Sequence, residues 1–297
     1  MPQKLPDYWS MGSTSAVLWA EFVTQSLAAK FYIDPNTNPS HVTDTFTAVH
    51  NYIQSPDFTT DTTDTTTNAK IHLGDYIDLD SLTVLAYQSE GDFSVSNTSL
   101  GANGRLLRLI VVGINSFNRD GAANNGNNTP HVVFQFQNIP VRRSMDTTAY
   151  NRTGYLSSKM RPYLTGNFYN GLLAAGVPST VLWTPSRRVA NGGKSAGGVH
   201  IIEDSVWLPT VWEMWGWSKD RSVNAYEHTN NQAVFEAYTT GTVTRYKYNS
   251  SNVSTWYYLA SPYYNDYLSF CIFKQTGNVV TNEANGWGGV APAFCVQ

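Results

Sequence analysis

The chain has 297 residues, a net charge of −3, 14% charged residues and 13% aromatic residues. Its length accommodates one large or two moderate domains, and its hydrophobic fraction of 41% is enough for a packed core. The charged fraction is low against about a quarter in average proteins, and no basic block occurs. The sequence therefore excludes a strongly basic nucleic-acid-binding surface.

The N-terminal residues contain no apolar run of signal-peptide length, and no stretch reaches the ~18 apolar residues of a membrane span. We therefore expect neither a cleaved leader nor membrane insertion. Residues 13–33 carry an apolar stripe at helical spacing behind a Ser/Thr cluster, which predicts an amphipathic helix. The stripe consists of Val17, Leu18, Phe22, Leu27 and Phe31, and a mixed segment follows it to Ile53.

Residues 55–68 are rich in Thr and Asp, which is typical of an exposed linker. Asp57, Asp61 and Asp64 lack the spacing of a calcium-binding loop, so we predict no metal site there. Residues 1–68 are thus predicted to form a helical, anchoring segment with a Thr/Asp-rich linker.

From residue 69 the pattern predicts mostly strands. Apolar runs at 106–115 and 131–139 are typical of strands, whereas 156–175 has helical spacing that Gly176 and Pro178 end. Short strands are predicted again for WYYLASP, LSFCIF and VAPAFCV near the C-terminus. The predicted class is α+β, with one domain over residues 69–297.

Seven of the 18 tyrosines lie between Tyr246 and Tyr267, mixed with Asn and Ser. Tyr provides large contact area at low entropic cost, and Asn and Ser add adaptable hydrogen bonds. This composition favours a binding surface. An aromatic core is the alternative, because some of these rings must point inward.

Catalytic and metal-binding patterns are weak. The six histidines are scattered, GKS at 193–195 lacks the glycine of a phosphate-binding loop, and the adjacent Glu203 and Asp204 favour a solvated strand end. Trp207, Trp212, Trp215 and Trp217 form either a sugar-stacking platform or core packing. Cys271 and Cys295 are either two buried thiols or one bridge. We predict no cofactor and no catalytic residue.

Several motifs occur in an order that resembles that of a known domain family. LGDYI (73–77), the helix at 155–169, WYYLASP (256–262) and GGVAPAF (288–294) follow one another as in a bacterial and phage domain of unassigned function. That domain is of the C-type-lectin-like kind, which also includes formylglycine-generating enzymes. Ala260 and Ala291 stand where the similar sequences carry arginine. The resemblance implies a C-type-lectin-like fold over about three quarters of the chain.

Residues 263–295 also resemble the variable region of retroelement-diversified proteins, many of which are phage receptor-binding proteins. This resemblance implies a variable region at 246–287, on a frame of Phe270, Ile272, Val290 and Phe294. The predicted ligand-binding residues are Tyr246, Tyr248, Tyr257, Tyr263, Tyr264, Asn265, Asp266, Tyr267, Ser269, Lys274, Asn282, Asn285 and Trp287.

The two resemblances imply a phage or prophage-encoded adhesin that binds a protein or glycan of the host-cell surface and is not an enzyme. We expect it on a virion or an extracellular surface, made in the bacterial cytoplasm without a signal peptide. The N-terminal segment would join it to a virion component, and homo-oligomers would multiply weak contacts. The alternatives are a virion structural or decoration protein without its own receptor, and an enzyme of the formylglycine-generating type that binds copper through its cysteines.

Overall fold

The computed structural model describes residues 27, 31, 36–58, 71–85, 92–117, 129–151, 153–192, 198–216 and 233–297. In this part of the chain strands predominate and helices are few, so the predicted α+β class is confirmed. The strands are β1 (Tyr76–Asp78), β2 (Ser81–Leu85), β3 (Asp92–Ser96), β4 (Arg108–Ile114), β5 (Val132–Phe136), β6 (Val141–Arg143), β7 (Leu182–Trp183), β8 (Ser186–Ala190), β9 (Val199–Glu203), β10 (Tyr257–Pro262), β11 (Ser269–Phe273), β12 (Val279–Glu283), β13 (Gly288–Val290) and β14 (Ala293–Val296).

The α-helices are α1 (His41–Ile53), α2 (Met160–Pro162), α3 (Tyr169–Ala174), α4 (Val211–Trp215) and α5 (Glu236–Thr239). A π-helical segment, Tyr163–Phe168, joins α2 to α3, so the predicted helix at 156–175 is present from Met160 onward. Short 3-10 turns occur at Gly101–Asn103, Tyr155–Ser157 and Ser179–Val181.

Sheet one has the strand order β1-β4-β5-β14-β7 and is antiparallel in every pair. Every residue of β5 is buried, which explains its nearly continuous apolar sequence. Helix α1 covers this sheet, because the buried Phe46 packs edge-on against Phe134 and also contacts Phe294. The C-terminal strand β14 lies between β5 and β7, so the end of the described chain is central to the fold.

Helix α1 was not predicted from the sequence. Its buried residues Val42, Phe46, Val49 and Ile53 follow a helical stripe and belong to the common core. The predicted helix at 13–33, apart from Leu27 and Phe31, and most of the linker at 55–68, with Asp61 and Asp64, lie outside the described residues. The domain boundary at residue 68 stays a prediction, although α1 shares its core with the sheet that follows.

Sheet two has the strand order β12-β11-β10-β13-β6. Its pairs are antiparallel except β10 and β13, which run parallel with Tyr257 opposite Gly289. Because β12 and β13 are not neighbours, residues 284–287 must cross over β11 and β10 to join them. Two hairpins, β2–β3 and β8–β9, complete the described fold.

A buried ion pair joins hairpin β8–β9 to helix α4. Thr210 and Glu213 form a reciprocal capping box at the start of α4. Glu213 also accepts two hydrogen bonds from the fully buried Arg187, at 2.8 and 2.7 Å. Arg187 further lies over the ring of Trp207, 4.7 Å from its centroid. A buried charge needs such a partner, so this cluster fixes α4 against the hairpin.

Candidate functional site: an aromatic face beside sheet two

Exposed aromatic and apolar side chains concentrate on three segments beside sheet two. These segments are residues 142–151, the β10–β11 loop 263–268 and the crossover 284–287. Among the described residues, eight large hydrophobic side chains are exposed, and four of them lie on these segments. We call the following set the aromatic face: Tyr150, Tyr263, Tyr264, Asn265, Tyr267, Leu268, Asn285 and Trp287.

Main-chain hydrogen bonds hold the three segments together. The N–H of Ala284 donates to the carbonyl of Leu268 at 2.8 Å, and the N–H of Asp146 donates to the carbonyl of Ala284 at 2.9 Å. The guanidinium of Arg142 donates to the carbonyl of Trp287 at 2.7 Å. The loop and the crossover therefore form one continuous surface with residues 142–151.

An acidic side chain fixes the shape of the β10–β11 loop from within. Oδ1 of Asp266 accepts the N–H groups of Leu268 and Ser269, both at 2.8 Å, and Oδ2 accepts the hydroxyl of Ser269 at 2.9 Å. A carboxylate that accepts three hydrogen bonds is well satisfied. Asp266 and the buried Ser269 thus position the loop, whereas the sequence analysis predicted that both contact ligand.

A residue far away in sequence holds the same loop from outside. The buried side chain of Asn151 donates to the carbonyl of Tyr263 at 3.3 Å and to that of Ser269. Its main-chain N–H donates to the carbonyl of Tyr267 at 2.7 Å. All three acceptors are main-chain oxygens, so these contacts do not depend on which side chains the loop displays. Nothing in the local sequence around Asn151 signals this role.

The crossover is supported from below by a core tyrosine. The hydroxyl of the buried Tyr258 lies 2.5 Å from the carbonyl of Glu283 and 2.9 Å from that of Gly286, and these two acceptors share its one proton. A Cβ on Gly286 would lie 2.0 Å from the Asn282 amide and 3.0 Å from the Tyr258 hydroxyl. Glycine therefore permits the close approach that places Trp287, 47% exposed, at the surface.

One predicted ligand-binding residue, Tyr257, is fully buried. Its ring packs against Phe273, its hydroxyl donates to the carbonyl of Arg245 at 2.8 Å, and Nζ of Lys247 lies 5.5 Å from its centroid. The prediction was wrong because adjacent strand residues face opposite sides, and both sides of β10 are covered.

Other predicted residues are not part of the aromatic face. Tyr246 and Lys274 are exposed near the β11–β12 turn, at the opposite end of β11 from the loop 263–268. Five residues of strand separate the two ends by roughly 13–17 Å. Tyr248 is partly buried in a bridge with Ser254. Asn282, on β12, lies 3.4 Å from the Tyr258 hydroxyl and supports the crossover.

Tyr150 and Leu268 were not predicted as site residues, although they are 43% and 46% exposed in the structure. Tyr150 is a single aromatic residue in the polar run SMDTTAYNRTG, far from the tyrosine-rich region. Leu268 directly precedes strand β11 and was counted with its apolar run. An isolated aromatic residue in a polar segment is a weak signal that could have indicated Tyr150.

Several other candidates are structural. Trp207 is fully buried, which confirms core packing for that residue, while Trp217 and the GKS motif lie outside the described residues. Glu203 is exposed, but Asp204 is buried and accepts a hydrogen bond from Arg161 at 2.9 Å. Burial raises the pKa of Asp204, and two arginines oppose this shift. The interpretation as a solvated strand end is therefore wrong for Asp204.

Neither Cys271 nor Cys295 is in a disulfide, and both are fully buried, on strands of different sheets. Burial raises the pKa of Cys295 well above its usual range, which disfavours the thiolate. Within the described residues, no group of three or more His, Cys, Asp or Glu side chains is arranged to hold a metal ion. The described helices are all too short or too polar to cross a membrane.

Two buried basic side chains have strongly lowered pKa values. Burial lowers the pKa of His131 to about 4, and its ring nitrogens contact the Thr129 carbonyl at 2.8 Å and the Phe117 N–H at 3.1 Å. Burial also lowers the pKa of Lys247 to about 7. Nζ of Lys247 donates to the Phe136 carbonyl at 2.6 Å. Both groups support the core of sheet one.

The fold and the site define an α+β protein with two five-stranded sheets, whose surface loops display aromatic side chains. Residues 131–297 match the family described as a domain of unknown function (DUF6273). This match covers more than half of the chain, and the protein belongs to that family. No curated protein matches the chain. No solved structure matches it either.

Proposed function

We propose that this protein is a phage or prophage-encoded adhesin that presents the aromatic face to a protein or glycan on the host-cell surface. One observation carries the proposal: exposed aromatic side chains concentrate on a surface whose backbone is held by hydrogen bonds. Recognition energy at interfaces concentrates in a few Trp, Tyr and Arg anchors. Rigid presentation of such anchors lowers the entropic cost of binding.

The motif order supports a C-type-lectin-like architecture for this adhesin. LGDYI leads into β1, WYYLASP includes β10, and GGVAPAF spans β13 and the start of β14. The last motif thus contributes to both sheets. We assign the tolerant, diversified positions to Tyr263, Tyr264, Asn265, Tyr267 and Asn285, which are at least partly exposed. The frame residues Phe270, Ile272, Val290 and Phe294 are buried, as a fixed scaffold requires.

Attachment to a particle is assigned to the chain before helix α1, because the apolar face of α1 is already used by sheet one. A homo-oligomer on a virion would multiply weak individual contacts. The decoration-protein alternative needs no receptor, and the binding experiment below separates it from the adhesin. The formylglycine-generating alternative is disfavoured, because it needs reactive thiols and both cysteines are buried.

The experiment measures binding of the purified full chain to a panel of bacterial cells by flow cytometry. Tyr267→Ser tests the aromatic face, and Tyr246→Ser is its matched control, because the two tyrosines are 37% and 39% exposed at opposite ends of β11. Trp287→Ser is compared with Ile201→Ser, which is 58% exposed on β9.

We expect at least about a thirtyfold loss of affinity for each face variant, since anchor residues contribute about 2 kcal/mol or more. The two controls should bind like the wild type. Equal loss in Tyr246→Ser would place the site at the other end of β11. If folded oligomers bind no cell in the panel, the decoration-protein alternative replaces the adhesin.

A further inference from the structure

A groove of about 380 Å³ lies between the C-terminal end of helix α1 and strand β7, the last strand in the order of sheet one. It is separate from the aromatic face, which belongs to the loops of sheet two. Its lining includes His50 of helix α1 and Gln54 directly after that helix. Thr180 and Trp183 contribute from the segment that contains β7, and Gln297 from directly after β14. Its volume lies within the usual range of small-molecule sites, about 300–1,000 Å³.

The walls of this groove are fixed by contacts within the fold. The N–H of Gln297 donates to the carbonyl of Val181 at 3.0 Å, and Nδ1 of His50 is hydrogen-bonded to the carbonyl of Gln297. Trp183 pairs with Cys295 across the sheet, and its ring centroid lies 4.6 Å from that of His131. His131 is itself held by two hydrogen bonds, so the indole is supported on one side by a rigid neighbour.

The lining combines the flat apolar surface of Trp183 with polar side chains, among them the imidazole of His50, whose Nδ1 is hydrogen-bonded to the main chain of Gln297. Trp183 is partly exposed, and the side chains of Gln54 and Thr180 are exposed at the rim. The Gln amide and the Thr hydroxyl can each donate and accept hydrogen bonds. None of the lining side chains belongs to Asp, Glu, Lys or Arg. An anionic ligand would lack the Arg or Lys side chains that usually bind it.

We propose that this groove binds a neutral saccharide unit. A pyranose ring has an apolar C–H face that can pack on the Trp183 indole, and it carries hydroxyls at its edge that both donate and accept. Those hydroxyls match Gln54 and Thr180 at the rim, and the groove has room for one or two sugar rings. The inference does not depend on the aromatic face, and each can fail without the other.

The test uses the full chain and saturation-transfer NMR with four probes: methyl α-glucoside, methyl β-galactoside, N-acetylglucosamine and glucuronate. At least one neutral sugar should bind in the millimolar range, and glucuronate should bind more weakly than the glucoside. The double variant Gln54→Ala/Thr180→Val should weaken that binding at least about fivefold, which is the effect of one lost hydrogen bond. Both residues are exposed, so the variant should fold normally.

The matched control is Gln275→Ala/Thr276→Val, which makes the same changes at exposed positions of the β11–β12 turn. It should bind like the wild type. Absence of binding by every neutral sugar, or equal binding by the two double variants, would overturn the inference. Sugar binding that is lost in Trp287→Ser but kept in Gln54→Ala/Thr180→Val would move the saccharide to the aromatic face and also overturn it.

Discussion

The hydroxyl of Tyr258 donates to the carbonyl of Gly286 at 2.9 Å and thereby links the core of sheet two to the crossover that displays Trp287. Tyr258→Phe keeps the ring and removes only this hydroxyl. We expect the free energy of unfolding to fall by about 1–2 kcal/mol, because the carbonyls of Glu283 and Gly286 lose a buried donor. Chemical denaturation measures this loss.

The same variant should weaken receptor binding, because the crossover would no longer hold Trp287 in one position. Hydrogen exchange should increase more at residues 284–287 than in β5, because exchange from the buried β5 reports only the loss of global stability. Unchanged exchange in the crossover would show that the Tyr258 hydroxyl does not order it.

Positions on the aromatic face should tolerate substitution better than the frame beneath them. Tyr267→Ser and Trp287→Ser should each change the free energy of unfolding by no more than about 0.5 kcal/mol. Phe270→Ala and Phe294→Ala should each cost about 3–5 kcal/mol, because both rings are fully buried and their loss leaves cavities. Urea denaturation compares the four variants, and similar costs in both pairs would refute the division into display and frame positions.

Acid should destabilise the protein through His131. Its pKa is about 4 in the folded state and about 6.5 when unfolded, so the unfolded state binds the proton first as pH falls. The stabilisation is complete above pH ~6.5 and should decline by about 3 kcal/mol down to pH ~4. His131→Gln should be less stable at neutral pH and lose less on acidification. A parallel pH profile for the two proteins would contradict this assignment.

Mild alkali should have the opposite effect through Lys247. Its folded pKa of about 7 lies below its unfolded value, so between these values only the unfolded state holds the proton. Stability should therefore rise by about 3 kcal/mol between neutral pH and pH ~9.5. Lys247→Met should remove this rise. Measurements should stop near pH 10, because burial raises the pKa of Tyr238 and Tyr257 and their ionisation favours unfolding.

Deletion of residues 289–297 should abolish cooperative unfolding. β14 lies between β5 and β7, and β13 lies between β10 and β6, so the deletion opens both sheets. Differential scanning calorimetry of the truncated chain tests this. The exposed-site variant Gln275→Ala, prepared in the same way, is the control for effects of expression and purification. A cooperative transition near the wild-type temperature would contradict the central position of this segment.

The long apolar strands were predictable from sequence, because short continuous apolar runs such as LLRLIVVGIN and LSFCIF are typical of strands buried on both faces. Helix α1 was not, because its stripe from Val42 to Ile53 is interrupted by threonines of low helix propensity, and packing on Phe134 stabilises it. In this segment, packing of the helix on sheet one outweighs the low helix propensity of its threonines.

The site was only partly predictable for a related reason. Composition identified the tyrosine-rich region, but it could not separate the buried Tyr257 from the exposed Tyr267, since burial depends on which strands cover β10. The hydrogen bonds from the Asn151 side chain to the carbonyls of Tyr263 and Ser269 join residues more than a hundred positions apart. Such contacts follow from the closed fold and leave no local pattern.

Because β5 pairs with β14, one edge of β5 stays unpaired during synthesis until the C-terminal strand has been made. Phe134 leaves the ribosome about 160 residues before Phe294, and translation at about 5–20 residues per second makes that interval roughly 8–30 s. During this time the buried and mostly apolar strand β5 lacks the neighbour that covers one of its edges. A nascent chain stalled before residue 290 would keep that edge open and would be prone to aggregate.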